Sequence, residues 1–323
     1  MPKSAAHPDG DLPVKLDVKD MKLLALLRED SRMPVSGLSK RVGMNRDTVT
    51  YRVRRMEQLR VIRKHYAEID RSVFGYFVCK VFMVLDEVSL QRQRELMQEL
   101  RQHPNTEALL EYNDKWDVQW RLLAKDLEEL DTILMRISTK YSDIISERDT
   151  LVVVRWGKAR SSAVKSFDAT DLAILRLLAD DARTSAVDIA KRIEIGPDAV
   201  IKRIKRLKET GIIKRFTIIT DPQRMGRQWY TIAVQMKQFD ERYQQRVLEF
   251  VRTTPAVARC VKTVGTWDIL AYIAVGSTSE FHRIFKEFKA VLSPDVRNYE
   301  VFVGYTEHFI TSLPRAIIEG RDT

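Results

Sequence analysis

Apolar and polar residues follow a helical period through the first sixty positions of the chain and then a strand period. Between residues 17 and 59 the apolar positions recur every three or four residues, which predicts three helices. The second helix runs from Val35 to Val42, and Asn45 is a favourable N-cap for the third. A β-prone run follows at residues 61–69, where we expect a hairpin that forms a wing. Helix, short helix, turn and helix in this order is the pattern of a helix-turn-helix domain.

A second pattern begins near residue 77 and alternates between strand-like and helix-like segments. The predicted strands cover residues 77–85, 106–112, 117–124 and 147–155, and the predicted helices cover 90–101 and 127–141. The order βαββαβ is that of a ferredoxin-like domain.

The whole arrangement occurs twice in the chain. When the sequence is displaced by 151 residues it aligns with itself without a gap, and 15 positions between Asp17 and Asp70 are identical. The second-copy elements are predicted at residues 230–236, 241–253, 257–263, 268–275, 279–291 and 296–305. We therefore expect an α+β fold of two tandem copies, each a winged helix-turn-helix followed by a ferredoxin-like βαββαβ domain. The two sheets are expected to pack face to face.

These patterns divide the chain into seven segments. They are a flexible tail (1–14), a first winged helix-turn-helix (15–70), a first βαββαβ effector-type domain (71–156), a linker (157–165), a second winged helix-turn-helix (166–221), a second βαββαβ effector-type domain (222–306) and a C-terminal tail (307–323). Leftover sheet edges and faces in such a unit predict that chains associate as a homodimer or higher homo-oligomer.

Composition narrows the class of protein. Apolar residues make up 44% of the 323 residues, which is ordinary for globular proteins. No apolar run approaches the roughly 18 residues of a membrane span, and the N-terminus has no apolar signal segment. We therefore expect a cytoplasmic protein without a membrane partner. Cys79 and Cys260 lie in apolar runs outside any C-x-x-C motif, and we interpret them as buried free thiols.

The net charge of +10 is concentrated at two equivalent places. Residues 52–64 hold six basic residues against Glu57, and residues 203–215 hold six against Glu209, so each window nets +5. A charge run is most often a solvated face. Its repetition behind the same helix-turn-helix favours double-stranded DNA as the partner.

The third helix of each copy carries the candidate DNA contacts, because its outer face can reach base edges. The first-copy candidates are Asn45, Arg46, Thr48, Tyr51, Arg52 and Arg55. The second-copy candidates are Lys202, Arg203 and Arg206, next to Ala199. The second face offers less hydrogen-bonding variety, so we expect the first copy to read sequence and the second to grip mainly phosphate. The wing candidates for phosphate contacts are Arg63, Lys64, Lys214 and Arg215.

An RNA-recognition module is an alternative for the βαββαβ part. That use needs aromatic residues on the central strands for base stacking. The central strands read DVQWRLLA and DILAYIAV, which are mostly aliphatic. This alternative is therefore not favoured.

The segments RVRRMEQLRVIRKHYAEID and KRIKRLKETGIIKRFTIITD close the two DNA-binding parts. Together with the element order, they resemble the Lrp/AsnC (feast/famine) transcription regulators over about residues 15–155 and 166–305. The turn Gly265-Thr266-Trp267-Asp268 resembles the effector loop of that family's amino-acid-sensing domain. The resemblance implies domains that pair through their sheets, an amino-acid or related metabolite effector at the interface, and a change of oligomeric state on DNA. The candidate effector-binding residues are Gly265, Thr266, Trp267 and Asp268.

Two features depart from the family pattern. Ordinary members carry one unit per chain, whereas this chain fuses two, which predicts an internal pseudo-dimer with two different reading heads and an asymmetric operator. The first-copy loop, Asp114-Lys115-Trp116-Asp117, lacks the glycine, so the second copy is the better effector candidate. Strand-end packing is the alternative role for Trp267, and capping of the turn is the alternative for Asp268.

An enzyme is the second candidate class. Fused proteins of this fold include sirohaem decarboxylase-like enzymes, which need His and Arg side chains around a large pocket. The five histidines occupy no repeat-equivalent pair, and only His65 beside Tyr66 forms a suggestive cluster. No Ser-His-Asp array, glycine-rich phosphate loop or metal-ligand spacing occurs in the sequence. We therefore expect no catalytic residue, cofactor or metal.

Overall fold

A computed structural model describes residues 12–86, 89–154, 156 and 167–319. The elements of the first copy are α1 (Val18–Glu29), α2 (Val35–Val42), α3 (Arg46–Gln58), β1 (Ile62–Ile69), β2 (Phe77–Leu85), α4 (Leu90–Gln102), β3 (Thr106–Tyr112), β4 (Val118–Ala124), α5 (Leu127–Lys140) and β5 (Ile145–Val154). Those of the second copy are α6 (Ala169–Asp180), α7 (Ala186–Ile193), α8 (Pro197–Glu209), β6 (Ile213–Thr220), β7 (Gln228–Met236), α9 (Glu241–Thr253), β8 (Val257–Val264), β9 (Ile269–Val275), α10 (Thr278–Leu292), β10 (Val296–Phe309) and α11 (Arg315–Glu319). The expected α+β class, with helix-turn-helix and ferredoxin-like parts, is confirmed.

The described residues belong to two compact units, and each unit takes one part from each copy. The first unit draws on Met1–Val73 and Val164–Arg227 and contains both helix-turn-helix domains. The second draws on Phe74–Ala163 and Gln228–Thr323 and contains both βαββαβ domains. Like parts of the two copies therefore pack together within each unit.

Carboxylate caps begin the first helix of both helix-turn-helix domains. The Asp17 carboxylate accepts a hydrogen bond from the Asp20 N–H (2.8 Å), while the Asp17 N–H donates to the Asp20 carboxylate (3.1 Å). Asp168 and Asp171 form the same reciprocal pair. Such a capping box satisfies N–H groups that the start of a helix leaves without partners.

The apolar stripes of α1 and α3 form the core of the first helix-turn-helix. Leu23, Leu27, Val49 and Met56 are fully buried there. Ile218, from β6 of the second copy, packs into the same cluster. The core of one copy is therefore completed by the other.

The strand that follows each helix-turn-helix pairs with its counterpart from the other copy. β1 and β6 are antiparallel, with Glu68 opposite Arg215 and Tyr66 opposite Thr217. The hairpin expected within each copy is therefore wrong. After β1 the chain enters a 3-10 turn, Arg71–Phe74, instead of a return strand. The peptide groups along one edge of β1 find their partners on β6. This pairing meets the requirement that buried peptide groups be hydrogen-bonded.

Eight strands of the second unit close into a barrel in the order β10-β3-β4-β2-β5-β8-β9-β7. The two four-stranded sheets join at β5–β8, where Val152 lies opposite Val264, and at β10–β3, where Glu307 lies opposite Leu110. The sheets were expected only to face one another, whereas their edges are paired as well. Free edges were one reason to expect association of chains, and the described strands of this barrel leave none. That reason is wrong, and the oligomeric state stays a prediction.

The interior of the barrel holds a buried polar network that spans both copies. The Lys80 side chain is 1% exposed, and its ammonium donates to Gln119 Oε1 (3.1 Å) and to the Tyr272 hydroxyl (2.6 Å). Arg121 Nε lies 2.7 Å from the Glu107 carboxylate. The second-copy residues at the positions of Lys80, Gln119 and Arg121 are Thr231, Leu270 and Tyr272. The first copy thus contributes most of the charged side chains of this network. The second copy contributes Tyr272, whose hydroxyl accepts a hydrogen bond from Lys80.

The segment from residue 307 was predicted to be a tail, and up to residue 319 it is not. β10 continues to Phe309, and Arg315–Glu319 form α11. The Tyr76 hydroxyl donates to the Ala316 carbonyl (2.8 Å), and the Ala316 N–H donates to the Pro104 carbonyl (3.0 Å). Ile317 is buried. The hydrogen-bond partners of α11 lie far away in the sequence, so no local pattern predicted the helix.

Four smaller expectations concern the N-terminal tail, the linker, membrane spans and the thiols. Residues 1–11 of the predicted tail and the predicted linker at 157–165 lie outside the described residues. Residues 12–14 are held rather than free, since the Val14 N–H donates to the Arg224 carbonyl (2.7 Å) and Arg224 donates to the Leu12 carbonyl (2.8 Å). Among the helices described, none is long and apolar enough to cross a membrane. Cys79 is a buried free thiol, and burial raises its pKa to about 12. Cys260 is a half-buried free thiol, and burial raises its pKa as well.

Replacing Tyr272 by Phe tests the polar link between the two copies in the barrel. The change removes a hydroxyl that accepts from the buried Lys80 ammonium, so we expect the free energy of unfolding to fall by about 1–3 kcal/mol. Chemical denaturation followed by circular dichroism measures the loss. Tyr51→Phe, at an exposed side chain, is the matched control and should be neutral; a neutral Tyr272→Phe would contradict the link.

Candidate functional site

The helix α3 exposes a face that differs by a small rotation from the one predicted. Val49, Val53 and Met56 are buried, so the opposite side of the helix faces outward. Tyr51 is 67% exposed, and Arg54, which the sequence reading missed, is exposed beside it. Arg54 follows Tyr51 by three positions, and that spacing was the available signal.

The other predicted residues of α3 divide into two groups. Asn45 and Arg46 are exposed at the start of the helix, and the Asn45 side chain caps it by accepting from the Thr48 N–H (2.7 Å). Thr48, Arg52 and Arg55 are half-buried. The structure therefore brings the helix start and Tyr51 to the outer surface and places the remaining three on the flank.

The flank residue Arg52 holds the domain together. Its guanidinium lies 2.7 Å from the Asp17 carboxylate and 2.8 Å from the Asp20 carboxylate, the two residues that cap α1. The hydrogen bonds to Asp20 and Asp17 raise the Arg52 pKa. The Asp20 N–H and then the Arg52 guanidinium lower the Asp17 pKa. Arg52 thus ties the third helix to the start of the first.

The second copy repeats this tie with one addition. Arg203 lies 2.7 Å from Asp168 and 2.9 Å from Asp171, and Arg206 also pairs with Asp171. The aspartates and the first arginine are identical between the copies, and that shared triple was the signal for a structural role. Of the predicted second-copy contacts, Lys202 alone is fully exposed without an ion pair among the described residues.

The outer faces of α3 and α8 differ in chemistry. Where α3 has Thr50, Tyr51 and Arg54, α8 has Ile201, Lys202 and Lys205. Ile201 is 54% exposed, and Lys205 lies 3.8 Å from Glu209 at the surface. One head therefore presents an aromatic hydroxyl and a guanidinium, and the other presents two flexible ammonium groups beside an aliphatic side chain.

The predicted wing cations lie mostly against acidic residues of the opposite copy. Arg215 Nε lies 2.7 Å from Glu68, and Lys214 Nζ lies 3.9 Å from Asp70. Burial lowers the Lys64 pKa, while the nearby carboxylates Asp180 and Asp181 act in the opposite direction. Arg63, Lys214 and Arg215 are exposed at the surface, and Lys64 is half-buried.

Two equivalent arginines cross between the helix-turn-helix domains. Arg32 Nη1 donates to the Ala182 carbonyl (2.7 Å), and Arg183 Nε donates to the Ser31 carbonyl (3.2 Å). Ala182 and Ser31 occupy equivalent positions of the repeat. This exchange therefore obeys the internal pseudo-symmetry of the chain.

The surroundings of the two crossing arginines break that symmetry. Arg183 Nη1 lies 2.7 Å from the Glu57 carboxylate at the end of α3, and His65 Nε2 lies 2.9 Å from the same oxygen. At the equivalent place the second copy has Lys208 and Phe216. There the cations of Arg32 and Lys208 each lie 5.2 Å from the centroid of the Phe216 ring. The end of α3 is therefore held by charge, and the end of α8 is held by cation–π contacts.

Trp267 and Asp268, which recur in the first copy as Trp116 and Asp117, have a structural role in the candidate effector loop. Trp267 is 4% exposed, and the Asp268 carboxylate accepts from the Met236 N–H (2.7 Å). In the first copy Trp116 is equally buried, and the Asp117 carboxylate accepts from the Leu85 N–H (2.7 Å). The same geometry in both copies supports packing and capping for these two residue types.

Gly265 and Thr266 are the exposed part of the loop. Gly265 has φ +142°, and a Cβ there would lie 2.6 Å from Leu151 Cδ2, so only glycine fits. The Thr266 hydroxyl donates to the Asp149 carboxylate (3.1 Å), whose pKa burial raises. At the equivalent first-copy position, Lys115 Nζ lies 3.1 Å from the Glu300 carboxylate. Each loop thus contacts an acidic residue on a strand of the other copy.

Comparisons with known proteins define the class of protein. A model of the AsnC-type helix-turn-helix domain matches residues 16–57, one of winged helix-turn-helix DNA-binding domains matches 167–214, and one of the Lrp/AsnC ligand binding domain matches 230–311. These matches cover a DNA-binding domain in each copy and a ligand-binding domain in the second. The chain is a transcriptional regulator of the helix-turn-helix class with a ligand-binding domain.

Individual relatives identify the family. The transcriptional regulator AzlB of Bacillus subtilis is 32% identical over 149 residues, which are 46% of this chain and 94% of AzlB. The uncharacterized HTH-type transcriptional regulator PH0140 of Pyrococcus horikoshii is 31% identical over 149 residues, 46% of this chain and 93% of that protein. The chain belongs to the Lrp/AsnC family of transcriptional regulators.

A solved structure shares the fold over nearly the whole chain. The sirohaem decarboxylase NirDL superposes with a TM-score of 0.61 at 13% identity, covering 94% of this chain and 100% of that chain. At this identity the likeness is one of fold alone.

Asp117→Ala and Asp268→Ala should destabilise the protein to a similar degree. Each change removes the acceptor of a part-buried backbone N–H, and we expect a loss of about 1–3 kcal/mol. Thermal unfolding measures both variants, with the exposed Asp114→Ala as the control. Unchanged stability in Asp268→Ala would show that its carboxylate does not hold the loop.

The Glu57 anchor predicts a dependence on pH. Hydrogen bonding from His65 and the charge of Arg183 lower the Glu57 pKa in the folded protein. A carboxylate with a lowered pKa stabilises the fold above its unfolded pKa, and this contribution is lost as the pH falls through the folded value. Between pH 6 and pH 3 the parent should therefore lose more stability than Glu57→Gln, as measured by denaturation at each pH. Parallel curves would contradict the anchor; Glu209→Gln, on the surface of α8, serves as the control.

Proposed function

We propose that this regulator is a tandem fusion of two Lrp/AsnC units, and that a single chain reads an asymmetric site on double-stranded DNA with two non-identical heads. The observation that carries the proposal is the pair α3 and α8. They occupy equivalent places in one compact unit, and their outer faces differ in chemistry. Operator symmetry follows protein symmetry, so unequal heads favour unequal half-sites.

The first head has the chemistry to discriminate bases. The Arg54 guanidinium can grip guanine O6 and N7 with two hydrogen bonds, and the side chains of Asn45 and Thr48 lie near the helix start, which enters the groove first. Tyr51 adds a hydroxyl and an aromatic edge in the centre of the exposed face. These contacts require the geometry of particular base pairs.

The second head has the chemistry to bind the backbone. Lys202 and Lys205 carry their charge on flexible stems and act as point charges toward phosphate. Ala199 and Ile201 offer only apolar contact. Arg203 and Arg206 are committed to Asp168 and Asp171, so they contribute to the framework of the head before they contribute to DNA.

We further propose that an amino acid or related metabolite modulates DNA binding. The Lrp/AsnC ligand binding domain match at residues 230–311 includes the loop Gly265–Asp268 and supports this assignment. Gly265 and Thr266 are exposed and could meet a ligand through the backbone and a hydroxyl. Trp267 and Asp268 keep the loop in place.

Alanine substitutions on the two heads test the proposal. Tyr51→Ala, Thr48→Ala and Arg54→Ala should flatten the base preference at the contacted positions, at about 1–3 kcal/mol for each lost base contact. Lys202→Ala should weaken binding to all sequences alike and reduce the salt dependence of binding by about one counterion. Selection from randomised duplexes, sequenced before and after binding, measures preference, and titrations at several salt concentrations measure the slope.

Controls separate DNA recognition from folding. Lys125→Ala, in the other compact unit, should leave both readouts unchanged, and Arg52→Ala should lower stability through loss of the α1 tie. Equal changes in preference from Thr48→Ala, Tyr51→Ala and Lys202→Ala would refute unequal heads. Because the fold is shared with a sirohaem decarboxylase, sirohaem is added to the parent protein as well; we expect no change in its absorbance spectrum.

A further inference from the structure

A groove lies between α4 and α5 on the helical layer of the first βαββαβ domain. We call it the α4–α5 groove; its charged and aromatic lining residues are Glu95, Glu99, His103, Arg136, Lys140 and Tyr141. None of these residues belongs to the loops discussed above or to a recognition helix. The groove is therefore a separate feature of the domain.

The groove reflects an opening between the helices that the second copy does not share. There α9 packs closely against α10, with the rings of Phe250 and Phe288 5.3 Å apart, whereas α4 approaches α5 much less closely. Phe250 is the counterpart of Glu99. The second-copy residues at the positions of His103, Arg136, Lys140 and Tyr141 are Thr254, Glu287, Val291 and Leu292. At Glu99, Lys140 and Tyr141 the first copy therefore has charged or polar groups where the second copy has apolar side chains. At Arg136 it has a cation where the second copy has an anion.

The Glu99 carboxylate in the groove already has hydrogen-bond partners within the protein. Glu99 accepts hydrogen bonds from the Lys140 ammonium and from the Tyr141 hydroxyl (2.7 Å). At the rim, the Glu95 carboxylate lies 2.9 Å from Arg92. Both acidic side chains thus have cationic partners.

The Arg136 guanidinium acts on Glu99 through its charge alone. Burial works to raise the Glu99 pKa, but the hydrogen bonds from Lys140 and Tyr141, together with the charges of Lys140 and Arg136, lower it. Among the described residues Arg136 makes no hydrogen bond or ion pair, although it lines the same groove as Glu99. A guanidinium presents N–H donors in a planar fork that matches the two oxygens of a carboxylate.

His103 supplies a second donor in the floor of the groove. Its Nδ1 accepts from the Asn105 N–H (3.3 Å), so in the neutral ring the proton is on Nε2. Burial, and then the charge of Arg136, lower the His103 pKa, which favours the neutral ring. The Trp120 ring packs edge-on against His103 at 5.3 Å and fixes its orientation. A neutral N–H donor beside an unpaired guanidinium is suited to a compact anion.

We propose that the α4–α5 groove binds a small organic carboxylate, with Arg136 holding the carboxylate and His103 donating a hydrogen bond from Nε2. The asymmetry with the second copy places one such site in each chain. This site is independent of the loop assigned to the effector above, and neither proposal requires the other.

Calorimetric titration of the full chain with succinate, L-glutamate and benzoate tests the site, with succinamide as the uncharged control. We expect at least one of the three carboxylates to bind and succinamide not to bind. Arg136→Glu, which introduces the second-copy residue, should weaken binding at least tenfold, and His103→Thr should weaken it severalfold. The His103 Nε2 resonance in a nitrogen-15 spectrum should shift as the ligand is added.

Three controls make the outcome decisive. Arg94→Glu makes the same change of charge on α4 that Arg136→Glu makes on α5. Arg94 lies outside the groove, so this variant should bind the carboxylate like the parent protein. Thr266→Ala alters the effector loop and should leave this binding unchanged. Absence of binding by all three carboxylates, equal losses in Arg94→Glu, or loss in Thr266→Ala instead of Arg136→Glu would overturn the proposal. Base preference on DNA, measured in the absence of ligand, should be the same for Arg136→Glu and the parent, so failure of this site leaves the proposed DNA function intact.

Discussion

Pairing of a strand from one copy with a strand from the other is the interaction on which the rest of the structure depends. β1 alone is a single strand with two open edges, and its unpaired peptide groups would be costly to bury. β6 supplies the missing ladder, and Ile218 on that strand also completes the core beneath α1 and α3. The sheets of the second unit close in the same manner through β5–β8 and β10–β3. Each copy is therefore an incomplete fold that its neighbour in the chain completes.

Repeat-equivalent residues divide into a shared framework and a divergent surface. The aspartate caps with Arg52 and Arg203, the backbone hydrogen bonds of the crossing arginines and the buried Trp-Asp pairs recur in both copies. Divergence occurs at the exposed faces of α3 and α8, at the anchors around Glu57 and Phe216, and in the barrel interior around Lys80. Most of the framework residues are engaged in contacts within the protein. The proposed DNA contacts lie instead on the exposed faces of α3 and α8. Residues that are identical in the two copies thus preserve the pairing between them, and residues that differ give the two heads unlike outer faces.

Local sequence patterns predicted most helices and strands well, because their periodicity and caps are local properties. Val35–Val42 and Phe77–Leu85 lie where the pattern placed them. The hairpin after α3 and the C-terminal tail were wrong for one common reason. β1 and α11 find their partners more than a hundred residues away, on β6 and around Pro104, and no local pattern reports such contacts.

The candidate site was predicted less completely than the fold. Positive charge on α3 was evident, but charge alone does not separate an arginine that faces solvent from one that bridges two carboxylates. Arg52 is of the second kind and Arg54 of the first, although they are two residues apart. The difference depends on the rotation of α3 against α1, which tertiary packing decides. The effector loop shows the same limit, since Trp267 and Asp268 support the turn from within.

Intrachain pairing of β1 with β6 can be measured directly by cross-linking. Glu68 and Arg215 lie opposite each other on these strands, so cysteines introduced by Glu68→Cys and Arg215→Cys should lie within reach of a short bis-maleimide. Intact-mass spectrometry across a hundredfold range of protein concentration reports which chains are joined. A cross-link confined to the mass of one chain, with a yield independent of concentration, is the predicted result. Linkage of two chains at every concentration would contradict the internal pseudo-dimer.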